Sequence, residues 1–324
     1  MSDDSLWLVQ VCFAALADIA FACALGALIL DAWLCGEQAF APVSPARLGW
    51  RRARRAGILA ALVLVLCNFV SLWLQAAAMS GAPVTEAGAP LWLVATHTQA
   101  GIGWSVGLAG SVLLLLAAAQ GGTLSAARAS FAMLAVLIVA AGKSAVGHAA
   151  DAGAFSVAEA FQALHLLATG TWDGIVIAGA FVLPALDTSL ARAPLIRIVA
   201  RMSRTAAIAV AFVIATGAFN AWRGIGGTPA ALTASMWGHA LIVKLVLIAA
   251  ALAIGALNRW SALPRLQRSA STMDAHTVIN VMRIEAVMMA GAFVAASVLS
   301  HSVPGFIVSG LKTRARSTRS RACD

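Results

Sequence analysis

Charge is what this sequence has least of. Only 11% of its 324 residues are Asp, Glu, Lys or Arg, whereas a soluble globular domain carries about 25%. With 61% hydrophobic residues and a mean hydropathy of +0.89, that scarcity excludes an ordinary soluble domain and indicates a polytopic membrane protein. Signatures of chemistry are missing as well. There is no HExxH, so a zinc hydrolase has no support, and the expected action is non-enzymatic. No glycine motif for nucleotide binding and no ATPase motif occur either. The five cysteines (Cys12, Cys23, Cys35, Cys67 and Cys323) show no CxxC or other zinc spacing. Four of them lie within or at the ends of the first two apolar runs, where a thiol packs as a small apolar group. The start, Ser2-Asp3-Asp4, lacks the basic n-region of a cleaved signal peptide, so the first apolar run is expected to stay in the mature chain.

What is present is length without charge. Apolar segments run over about 6–34, 56–79, 91–119, 129–148, 155–186, 205–222, 231–257 and 278–300. Each is near or above the roughly 20 residues that cross a bilayer, which predicts an all-α bundle of about eight transmembrane helices. Residues 1–304 are expected to form this bundle, and 305–324 a basic, disordered tail with few apolar residues after Leu311.

The cationic residues cluster between the runs rather than along one face, which argues against a nucleic-acid partner despite the net charge of +9. Arg47, Arg51, Arg52, Arg54 and Arg55 fall in the first connection, and Arg128 in the third. Arg192, Arg197, Arg201 and Arg204 fall in the fifth, and Arg259, Arg265 and Arg268 in the seventh. The even connections hold only Arg223. By the positive-inside rule the odd connections are cytoplasmic and the N-terminus is outside. The tail, with Lys312, Arg314, Arg316, Arg319 and Arg321, runs against this pattern, but a terminal tail is a weaker determinant than short internal loops.

With that orientation, five of the six histidines fall in the outer half. His97 opens the third run and His148 closes the fourth, both at the outer end. His239 is in the outer third of the seventh, and His301 follows the eighth. His165 lies deeper, roughly 15 Å along its helix at 1.5 Å per residue. There it shares a face with Thr169 and Trp172, with Asp173 beside them. Gly170 and Gly174 form a small-xxx-small pair that lets another helix come close. A single membrane histidine is more often a hydrogen-bonded structural residue than a ligand; five on five helices shift that balance. Imidazole with thioether, as at His239 and Met236 one turn earlier, suits copper, above all Cu(I). The candidate metal ligands are therefore His165, His97, His148, His239, His301, Met236 and Asp173. Deeper along the path lie Cys12, Asp18 and Cys23, then Cys67 and Asn68, Lys244, and Met282, Glu285, Met288 and Met289. Glu285 could equally pair with Lys244 or Arg283 for structure alone.

Four blocks then carry a family resemblance. His165-Leu166-Leu167-Ala168-Thr169-Gly170-Thr171-Trp172 resembles the signature helix of the bacterial CopD copper-resistance membrane proteins. Arg201-Met202-Ser203-Arg204, leading to Ala215-Thr216-Gly217-Ala218-Phe219-Asn220-Ala221-Trp222, looks like their next helix. Leu241-Ile242-Val243-Lys244-Leu245, running to Asn258-Arg259, is similar to the one after, and Arg283-Ile284-Glu285-Ala286-Val287 resembles the start of their last. The match is strongest over 160–304. Asp173 departs from the pattern, where an apolar residue is expected, and could be an extra anionic ligand or a proton-coupling group. The resemblance implies an inner-membrane protein that handles periplasmic copper, moves it toward the cytoplasm and receives it from a separate periplasmic CopC-type copper-binding protein. Two other readings stay open: a b-type redox protein whose histidines, such as His97 with His148, clamp haem, and a copper-binding scaffold or sensor that transports nothing.

Overall fold

The computed structural model describes residues 3–120, 123, 125–146, 153, 155–225, 232–233 and 235–302. The tail from 305 onward and His148 lie outside these residues. Among the described residues there is no strand, and eight helices are long and apolar enough to cross a membrane. The helices are α1 (Asp3–Gly36), α2 (Arg47–Ser80), α3 (Gly88–His97), α4 (Gln99–Ala119), α5 (Ala126–Ser144), α6 (Val157–Val182), α7 (Arg192–Ile225), α8 (Met236–Leu257), α9 (Leu263–Ser269) and α10 (Thr272–Ser300). A turn of π-helix, Asn258–Ala262, joins α8 to α9.

Two departures from the expected segments have physical causes. Helices α2 and α7 begin at Arg47 and Arg192, about nine and thirteen residues before the apolar runs, because straight-chain arginines are good helix formers and continue the helix beyond the hydrocarbon. The run 91–119 is two helices rather than one. Thr98 is extended (φ −114°, ψ 142°), and its hydroxyl accepts the N–H of Gly101 to cap α4. His97 therefore closes the short α3 instead of opening a long helix.

Helices α1 and α6 form the centre. On one side α1 packs with α2, α4 and α5 around Leu64, Leu114, Val136 and Val139; on the other, α6 packs with α7 and α10 around Ile175, Leu195, Ile198 and Met289. The approach of α1 to α6 is very close. A Cβ on Gly174 would lie 2.1 Å from the carbonyl oxygen of Ala22, and one on Gly26 would lie 1.9 Å from that of Gly174. The small-residue pair at 170 and 174 does what its spacing predicts. Gly103 and Gly110 of α4 serve the same purpose against Gly142 and Val139 of α5.

The arginine-rich end is also an ion-paired end. Arg128 meets Asp31 at 3.3 Å with both side chains buried, Arg192 meets Asp187 at 2.9 Å, and Glu37 takes Arg197 at 2.6 Å and Arg201 at 3.5 Å. His276 joins Asp187 at 2.5 Å. These pairs link the ends of α1, α5, α6, α7 and α10. The opposite end is fastened by neutral groups: the Trp7 indole N–H donates to the His301 carbonyl at 3.0 Å, and Asn220 donates to Gln162 at 2.8 Å.

Candidate functional site

His165 is buried in α6 and bonded across to α7. Its Nδ1 stands 2.9 Å from the Thr216 hydroxyl oxygen. That hydroxyl has a single proton, which it gives to the Phe212 carbonyl at 2.6 Å, so Nδ1–H must be the donor to Thr216. Nε2 is then left with its lone pair, the form in which imidazole binds a metal. The next residue, Gly217, lets the ring come close to α7: a Cβ there would sit 3.3 Å from His165 Cε1. The Thr-Gly step of α7 thus fixes both the tautomer and the position of the ring. Thr169, on the same face, spends its hydroxyl on the His165 carbonyl of its own helix at 2.8 Å.

Beyond His165 the middle of the bundle holds charge. Lys244 of α8 is within electrostatic reach of His165, Asp173 and Asp18. Asp18 also pairs with Lys143 of α5 at 2.7 Å. Asp173 is buried, and its Oδ1 accepts no hydrogen bond. Glu285 of α10, likewise buried, accepts the Trp172 indole N–H rather than pairing with Arg283, which bonds Asn280 at 3.2 Å. The bond to Trp172 satisfies the carboxylate inside the bundle, while Arg283 stays at the surface. Three carboxyl groups (Asp18, Asp173, Glu285) thus face two amines (Lys143, Lys244). Asp173 and Glu285 of this group are buried, whereas Asp18 and Lys143 are paired with each other at 2.7 Å.

The remaining candidates from the sequence stand elsewhere. His97 is exposed, and its Nδ1 lies 2.7 Å from Thr96 Oγ1. His239 and Met236 are exposed at the start of α8. His301 is half-buried, with Nδ1–H donating to the Ser297 carbonyl of its own helix at 2.9 Å. Among the described residues no three His, Cys, Asp or Glu side chains come together as one metal-holding group. Among the described candidate histidines, His165 is the one whose side chain is bonded to another helix.

A cavity of about 550 Å³ opens between α7 and α8 toward the arginine-rich end. The two helices meet at the opposite end, where Trp237 packs against Gly224. At the near end Arg259 bridges back, donating to the Ser203 carbonyl at 2.6 Å and to its hydroxyl at 3.0 Å. Trp172, Met202, Asn258, Met282 and Glu285 line the space between. Met202 is a lining residue whose role sequence reasoning missed. It sat inside a resemblance block, but its approach to Gly179, which Met282 also reaches, crosses between helices and leaves no spacing signal.

Eight apolar spans around a charged interior define a multi-pass membrane protein. Two family models match the chain: "Copper resistance protein D-like, N-terminal domain" over residues 1–157 and "Copper resistance protein D" over residues 196–299. A curated relative, "Copper resistance protein D" of Pseudomonas syringae pv. tomato, is 29% identical over 220 residues, covering 64% of this chain and 69% of the relative. No solved structure matches. The chain belongs to the copper resistance protein D family, and is a copper-related membrane protein.

Proposed function

We propose that this protein carries copper ions through the inner membrane, from the periplasm toward the cytoplasm, without enzymatic chemistry. The observation that carries the proposal is the His165–Thr216 bond: a buried imidazole is held between two helices with its second nitrogen kept free for a ligand. Copper is the cargo. The outer groups His97, His148, His239 and His301, with Met236, act as successive capture points for copper brought by a periplasmic CopC-type protein. Each binds weakly enough to release. His165 takes the ion next, with Trp172 shaping the path and Asp173 balancing charge. The membrane potential contributes about 2.3 kcal/mol per charge per 100 mV in the inward direction.

Transport is separated from a scaffold by sealed vesicles that contain the purified protein and enclose a Cu(I) chelator. Potential-dependent accumulation of copper in the lumen is expected. Binding without accumulation would replace the carrier with a scaffold or sensor, and a Soret band in the purified protein would favour the haem reading.

The direction rests on orientation, which has its own test. Neutralising Arg51, Arg52, Arg54 and Arg55 together is expected to scramble cysteine-accessibility labelling of the two ends, whereas Arg223→Ala leaves it unchanged. Unaltered labelling after the fourfold change would remove the positive-inside argument.

A further inference from the structure

We infer that the cavity between α7 and α8 is a second copper station, selective for Cu(I), whose soft ligands are the thioethers of Met202 and Met282. Both side chains converge on Gly179 of α6, Met202 with its methyl nearest, 2.6 Å from where a Gly179 Cβ would be, and its sulfur next. The position a Gly179 Cβ would occupy is 3.7 Å from Met202 Sδ and 2.9 Å from Met282 Sδ. The absence of a side chain at 179 is what allows the two methionines, from α7 and α10, to close on one point. Both are buried and both line the cavity.

Two further observations point to a ligand there. Glu285 follows Met282 by three residues, on the same face of α10, and lines the same cavity. Asn258 of the π-turn is 8% exposed, lines the cavity, and its Oδ1 accepts no hydrogen bond. Thioethers select Cu(I) over harder cations. A carboxylate beside them would make the Cu(I) complex neutral overall, which suits a low-dielectric site. Arg259 at the rim spends its donors on the carbonyl and hydroxyl of Ser203, the residue after Met202. Methionine also serves as an adaptable filler of gaps. Packing alone, however, leaves the buried Asn258 Oδ1 at the cavity without a partner.

The station rests on copper being the cargo but not on His165, and the test keeps the two apart. Full-length protein in detergent is loaded anaerobically with Cu(I) alone and titrated against a Cu(I) chelator, and its X-ray absorption is recorded. In the variant Met202→Leu/Met282→Leu, which conserves volume and is expected to fold, Cu(I) affinity at this station falls roughly tenfold or more. The sulfur contribution to the copper scattering also decreases. The cysteines are present in both proteins, so the difference reports the two methionines. His165→Ala keeps the methionine contribution. Equal affinity and equal sulfur scattering in the double leucine variant would overturn the inference and leave the proposal for His165 standing. Loss of the methionine contribution in His165→Ala would also overturn it, by making the two sites one.

Discussion

His165→Ala is expected to lower copper accumulation in sealed vesicles by about tenfold or more, while the protein still inserts. The scale follows from metal sites generally: losing a partner that only orients a ligand costs about 10–100-fold in affinity, and losing the ligand itself costs no less. Thr216→Val provides the graded comparison. It keeps the shape of the side chain but removes the oxygen that accepts Nδ1–H, so the ring is free to take the other tautomer or to turn. Uptake by this variant should fall between wild type and His165→Ala. His165→Gln, close to histidine in volume, separates lost packing from lost ligation. It should retain the wild-type unfolding temperature better than alanine does and transport no more than alanine. Wild-type uptake by either His165 variant would remove this imidazole from the path.

The largest structural effect is expected at the crossing of α1 and α6. In Gly174→Ala the new methyl meets backbone, the carbonyl oxygen of Ala22 at 2.1 Å, and no rotamer change can relieve it. Overpacking a well-filled interior costs about 1–3 kcal/mol where side chains can give; a backbone obstacle places this change at or above the top of that range. Gly107→Ala is the control, because a Cβ there meets nothing within 4 Å. Thermal unfolding in detergent should show a large drop for Gly174→Ala and little change for Gly107→Ala. Equal unfolding temperatures for the two would mean that the helices do not cross this closely.

The spans and the α6 crossing were legible because they depend on local properties. Hydropathy over a window of 20 residues reveals a bilayer span, and a four-residue glycine spacing reveals a contact face. The break at Thr98 falls in the short polar stretch Thr96-His97-Thr98-Gln99, which apolar residues on both sides outweigh when hydropathy is averaged over a span-length window. The role of Arg128, read as an orientation signal, is also that of a buried partner for Asp31, and composition does not distinguish the two. At the site, His165 stood out as a polar residue where none is cheap. Thr216, the residue that fixes its tautomer, lies 51 positions away. Separation in sequence also hid the link of Trp172 to Glu285 and the approach of Met202 and Met282 to Gly179. These contacts are set by which helices become neighbours, and no periodicity within one helix reports that.

Helix α6 has a consequence for exchanging parts between relatives. One family model ends at its first residue and the other begins after its last, yet both cores rest on it. A chimera made from two parents must inherit α6 from one of them, and so leaves a mismatched seam on one side. The seam with α1 has no room for even a methyl group, whereas the seam with α7 at His165 asks for a hydroxyl and a glycine. A graft that keeps α1 and α6 from the same parent, and joins the chains in the connection at 186–191, therefore has the better prospect of folding.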